Sequence, residues 1–312
     1  MSTLRAMAFA CAALVLAITS LSAFIRLSRA GLGCEPWPQC RVQLLAASEP
    51  GAAAAGTAVA AARIAHRVTA VAALVLIIAM LMSTLAVAPM RWPQGRLVLW
   101  LLALALFLAV LGRATADSRL PAVVLANLLA GFAMLALSWR LVRATGGRVE
   151  GGAGLPRPWV LAGLVLLVLQ IGLGGLVSAA YAGLSCPQLP GCDAAAGAWQ
   201  AFDPWRVPRL AAAAPTNPGG AWLHLAHRAG SLLVVAVVAP LGIVGWRRGY
   251  RAGAVLVALL AAQVLAGVLL VAQSLPLAGA LVHNMLAALL LATLVSLLPA
   301  RERQDASPSR RP

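Results

Sequence analysis

Residues 30–40 read AGLGCEPWPQC, and residues 182–192 read AGLSCPQLPGC. Six of the eleven positions are identical, both cysteines among them. Each segment follows a long apolar run and precedes an Ala-His-Arg triplet, Ala65-His66-Arg67 in the first case and Ala226-His227-Arg228 in the second. Two such matches in the same order mark an internal duplication.

Around these segments, apolar stretches of about 20 residues, the length a helix needs to cross a bilayer, recur throughout the chain. They lie near 6–26, 65–88, 96–114, 121–142, 158–180, 222–245, 252–273 and 279–299. Arg5 followed by a short apolar core could also open a signal peptide, but seven further spans and no clear small-residue cleavage site favour a retained helix. Four helices per copy is an even number, so both copies point the same way. The duplication is then parallel, with its pseudo-twofold axis along the membrane normal. The expected fold is all-α: a polytopic membrane protein of eight transmembrane helices in two parallel four-helix bundle repeats. Residues 1–150 form the first half, 151–300 the second and 301–312 a disordered cytoplasmic tail.

Composition agrees. The 312 residues are 62% hydrophobic and 10% charged, where a soluble domain carries roughly 25% charged residues. The net charge of +16 comes entirely from arginine. Those arginines flank the apolar runs instead of forming one patch, which excludes a nucleic-acid partner and makes the lipid bilayer the surrounding medium. Arg5, Arg91, Arg96, Arg140, Arg143, Arg148, Arg157, Arg247, Arg248 and Arg251 fall on one side, with the tail. The positive-inside rule puts that side, and both termini, in the cytoplasm. Loops 27–64 and 181–221 then face outward.

The four histidines, His66, His224, His227 and His283, all fall near the outer ends of even-numbered spans. Ionisable groups at membrane depth are costly unless paired or used. A single such histidine could serve interhelical hydrogen bonding. His227 and His283, at similar depth on two helices of one half, are better read as sharing a ligand. Two neutral imidazoles suit the axial positions of a haem iron, whereas zinc wants three or four His, Cys or carboxylate ligands. No Asp or Glu lies inside a span, which also argues against a carboxylate relay. Arg67 and Arg228, each following a histidine, are placed to pair with haem propionates, with interfacial snorkelling as the plainer reading. Cys34 and Cys40, and Cys186 and Cys192, form two C-x5-C pairs in outward loops, where paired cysteines usually become disulfides. They read either as loop staples or as reducible pairs. Cys11 lies mid-span and reads as packing. Gly172, Gly174 and Gly175 would let helices approach closely.

Together these features resemble the haem A synthase family over roughly residues 10–299. The segments that carry the resemblance are FIRLSRAGLGCEPWPQC at 24–40, GGLVSAAYAGLSCPQLPGC at 174–192, HLAHRAGSLL at 224–233 and LVHNMLAALLL at 281–291. The resemblance implies an oxidoreductase that converts haem O to haem A by oxidising a methyl substituent to formyl, for terminal oxidase biogenesis. It implies haem b between His227 and His283, substrate haem O facing His66 as the catalytic ligand, and disulfide pairings Cys34–Cys40 and Cys186–Cys192. It also implies a bacterial inner-membrane location and haem O synthase as a partner; the electron donor is not implied by any residue.

Two positions depart from the family pattern, both in the first half. The family motif there reads Glu-x-x-His-Arg, and the position three before His66 is Arg63. The fourth span holds no histidine: laying VLANLLAG over LVHNMLAA sets Ala126 opposite His283 and Asn127 opposite Asn284. The alternative reading is therefore a catalytically altered haem-binding membrane protein that carries, senses or inserts haem. A transporter is a third reading, disfavoured by the parallel repeat and the acid-free spans.

Overall fold

The computed structural model describes residues 3–29, 56–87, 92–114, 118, 120–146, 155–208 and 217–298. Cys34, Cys40 and the tail 301–312 lie outside these residues. The described residues form eight long helices: α1 Thr3–Arg29, α2 Gly56–Leu85, α3 Trp92–Ala114, α4 Pro121–Ala144, α5 Arg157–Ala179, α6 Ala221–Arg247, α7 Arg251–Ala272 and α8 Leu277–Ser296. All eight are long and apolar enough to cross a membrane. In lipid a helix satisfies its own backbone hydrogen bonds, which is why apolar runs of this length settle as helices. Two short 3-10 turns, Trp199–Phe202 and Pro218–Gly220, punctuate the long connection between α5 and α6. The chain is a polytopic all-α membrane protein.

The expected spans agree with the helices except at α2, which begins nine residues ahead of the expected start at residue 65. The stretch 56–64 is alanine-rich, and alanine favours helix more than any other residue. His66 therefore sits roughly 15 Å inside the helix, and Arg63 shares its face one turn earlier.

Each of the first four helices packs on the next, and α1 closes on α4; α5 to α8 repeat the pattern. Between the two groups the contacts are α4 with α8, α1 with α8 and α4 with α5. Exchanging the first four helices for the last four maps α1–α8 onto α5–α4 and α4–α8 onto itself. At this seam the Trp139 indole donates to Ser296 Oγ at 2.6 Å and the Arg140 guanidinium donates to the Leu298 carbonyl at 3.1 Å. Small residues bring the helices together: a Cβ on Gly175 of α5 would lie 2.7 Å from the Leu128 side chain of α4. The outward surface is apolar, as along α2, where Val68, Val71 and Val75 are all more than 60% exposed. A stripe of that kind belongs against lipid.

The described parts of the connection, 180–208 and 217–220, fold back over the helix ends. Ala198 and Gly219 are joined by a backbone hydrogen bond, and Trp222 donates to the Ala194 carbonyl at 2.9 Å. The Pro204 carbonyl accepts from the Ala122 amide in the first turn of α4, a donor with no partner within its own helix. Cys186 and Cys192 form a disulfide that closes the tip of this connection.

Candidate functional site

A cavity of about 320 Å³ opens among the ends of the helices beneath this connection. That volume falls in the range of small-molecule and cofactor sites. Its walls are mostly apolar, and His227 of α6 and His283 of α8 both line it. The structure thus brings together the two histidines that sequence reasoning paired. His224, one turn before His227, lines the same cavity and is only 4% exposed. His66 is half-buried on α2 and does not line it.

Each ring of the pair is held by a glutamine and faces a glycine. Gln170 of α5 donates from Nε2 to the His227 carbonyl at 2.8 Å and lies 3.0 Å from His227 Nδ1. Gln263 of α7 has Nε2 3.1 Å from His283 Nε2. One turn along each helix, Gly174 and Gly267 leave the space the imidazoles occupy. A Cβ on Gly174 would lie 2.9 Å from His227 Cε1, and a Cβ on Gly267 would lie 3.3 Å from His283 Cε1. The three glycines singled out in sequence therefore separate in role. Gly174 clears a ring, Gly175 admits α4, and a Cβ on Gly172 would meet nothing within 4 Å.

Gly174→Val is accordingly expected to force the His227 ring aside, at the ~1–3 kcal/mol typical of overpacking, and to lower both the melting temperature and the content of bound ligand. Gly172→Val should change neither. Thermal melting of the two purified variants side by side checks this, and equal melting temperatures would count against it.

Arg228 has partners that the sequence did not suggest. Its terminal nitrogens donate to the backbone carbonyls of Cys186, Gln188 and Gly191, so the guanidinium ties the disulfide-closed tip of the connection to α6. It still lines the cavity, where its Nε is buried without a partner. A second arginine, Arg26 at the end of α1, reaches the same cavity from the first four helices, and its Nε is likewise buried and unpartnered. Arg67, on α2, is exposed.

Sequence reasoning missed Arg26, Gln170, Gln263 and the roles of Gly174 and Gly267. One signal was available for four of them: Gln170-x3-Gly174 and Gln263-x3-Gly267 are the same motif, one on α5 and one on α7.

The donor set fits a haem. Among the described residues, buried side-chain nitrogens or oxygens without a hydrogen-bond partner occur on seven residues, and six of these line this cavity: Arg26, Gln170, His224, Arg228, Gln263 and His283. Unsatisfied buried polar groups are rare in folded proteins and call for an explanation where they cluster. Two imidazoles, two cationic side chains and an apolar wall match an iron porphyrin with two carboxylates.

A family model described as cytochrome oxidase assembly protein matches residues 5–295. The chain belongs to that family. A heme A synthase of Shewanella oneidensis is 31% identical over 317 aligned positions, which cover 90% of this chain and 92% of that relative. The resemblance to haem A synthases first carried by the cysteine loops and the His-Arg pairs is thereby borne out along almost the whole chain of this cytochrome oxidase assembly protein.

Proposed function

We propose that the chain is a haem A synthase-type membrane oxidoreductase that converts haem O to haem A by oxidising a methyl substituent to formyl, for terminal oxidase biogenesis. The observation that carries this reading is the meeting of His227 and His283, from two helices, at one cavity with arginines on its lining. The family match and the heme A synthase relative support the same reading.

In this reading α1–α4 and α5–α8 are the two parallel halves, a division supported by the symmetric pattern of helix contacts. The second half holds haem b, with His227 and His283 as the iron ligands. When bound, that haem supplies one-electron redox chemistry. The protein residues bind and orient it: Gln170 and Gln263 contact the rings, while Arg26 and the free Nε of Arg228 lie where propionates can be paired. The apolar wall excludes water. His66 faces substrate haem O in the first half, with Arg67 beside it for a propionate. The location is a bacterial cell membrane with both termini cytoplasmic, so the 180–220 connection and its disulfide face outward, as does the loop with Cys34 and Cys40. Haem O synthase is the partner that supplies substrate.

One observation favours a second reading, a haem-binding protein without the oxidation. Ala126 stands where α8 carries His283, and Arg63 stands where the family has a carboxylate. Co-expression with a haem O synthase in a host that makes no haem A distinguishes the two. Extraction of the haems is expected to yield haem A. A low-spin haem b bound to the protein with haem O left unconverted would establish the second reading instead.

A further inference from the structure

The two histidines differ from the other buried polar groups in how closely their surroundings repeat. Each has one ring nitrogen, Nδ1 of His227 and Nε2 of His283, 3.0–3.1 Å from a glutamine amide nitrogen on the neighbouring helix, and each has a glycine one turn past that glutamine. Both glutamines keep Oε1 buried without a partner. An amide carries a donor and an acceptor on one planar group, so it can serve an imidazole in either tautomer. Leucine, which has a similar volume, can do neither.

The first four helices contain no equivalent. Superposing Cys34 on Cys186 sets Ile18 at the position of Gln170 and Ser22 at that of Gly174. The single glutamine of α1–α4 is Gln94, at the start of α3, and it lies within 3.4 Å of the Ala144 carbonyl, to which it donates. From Leu97 to Gly112, α3 has no glutamine to offer a ring. The glutamine–glycine pairs thus occur only where two histidines face one cavity.

We propose that Gln170 and Gln263 are the positioning residues of the two ligand histidines, each fixing the rotation of one imidazole against the glycine one turn further along its own helix. This rests on the haem reading of the cavity. A group that accepts a hydrogen bond from the free ring N–H of a ligand histidine orients the ring and raises its basicity, and so tunes the metal. With haem bound, that acceptor is the glutamine Oε1, which is buried without a partner on both residues. Removing the amide lets the ring turn and weakens its donation to iron. A carboxylate in the same place strengthens that donation.

The test uses the full-length protein purified with its haem, in four variants: Gln170→Leu, Gln263→Leu, Gln170→Glu and Gln263→Glu. The leucine variants are expected to raise the midpoint potential of the low-spin haem so that the reduced-to-oxidised ratio at fixed potential grows about tenfold, which is ~59 mV for a one-electron couple. The glutamate variants are expected to lower it. The electron paramagnetic resonance spectrum, which reports the relative orientation of the two imidazole planes, is expected to shift in the leucine variants. Potentials and spectra equal to wild type in the variants that retain haem overturn the proposal. Should the leucine variants not fold, the glutamate pair decides: no downward shift in either overturns it. If the wild-type protein itself shows no low-spin haem, the haem reading fails first, and this inference with it.

Discussion

Replacing His283 with alanine is expected to abolish the low-spin haem spectrum of the purified protein. Low spin in a haem held by histidine requires two strong axial donors. In the proposed site His283 is the donor from α8, and Gln263 and Gly267 are packed against its ring. His227→Ala should have the same effect from the α6 side. His224→Ala is the informative companion. His224 lines the same cavity, but no glutamine–glycine pair cradles it, so its loss should leave two axial imidazoles and a low-spin spectrum. Optical spectra of the three variants in reduced and oxidised forms decide the assignment. A low-spin spectrum that survives in His283→Ala, or vanishes only in His224→Ala, removes His283 from the ligand set.

His66→Ala should behave in the opposite manner. His66 is on α2 and away from the cavity that holds His227 and His283, so the low-spin spectrum is expected to persist. Conversion of haem O is expected to fall at least about 100-fold, since losing even a hydrogen-bond partner of a metal ligand costs 10–100-fold in affinity or activity. The measurement is the haem A to haem O ratio extracted from cells expressing the variant beside a haem O synthase. Conversion at the wild-type level would take His66 out of the reaction and shift attention to other residues of the first four helices.

Much of this molecule could be read before its structure. The eight spans were legible because hydropathy follows directly from the medium: a helix facing lipid has to be apolar along its length. The pairing of His227 with His283 was legible because an ionisable group at that depth is costly and two at one depth imply a shared purpose. The start of α2 was not, because alanine and glycine dilute hydropathy while alanine still favours helix. Gln170 and Gln263 escaped notice for a different reason. A neutral amide in an apolar helix costs less than a charge, and periodicity within α5 gives no information on which ring of α6 it meets. Arg228 shows the reverse difficulty. Its place beside His227 suggested a carboxylate partner, whereas the folded connection supplies three backbone carbonyls that no pattern along α6 could announce. Arg26 was overlooked because its helix lies far along the chain from the two that carry His227 and His283.

The cavity of the last four helices is closed on one side by Arg26 and Leu27 of α1 and by Leu128 and Phe132 of α4. A four-helix unit working as a homodimer would receive the same service from its twin through a seam of this symmetry. The first four helices carry Ala126 and Ile18 where the last four carry His283 and Gln170, yet they still lend a face to their neighbour's cavity. Mutational tolerance should therefore be unevenly spread over α1 and α4. It should be narrow where they wall the cavity of the last four helices and broader elsewhere.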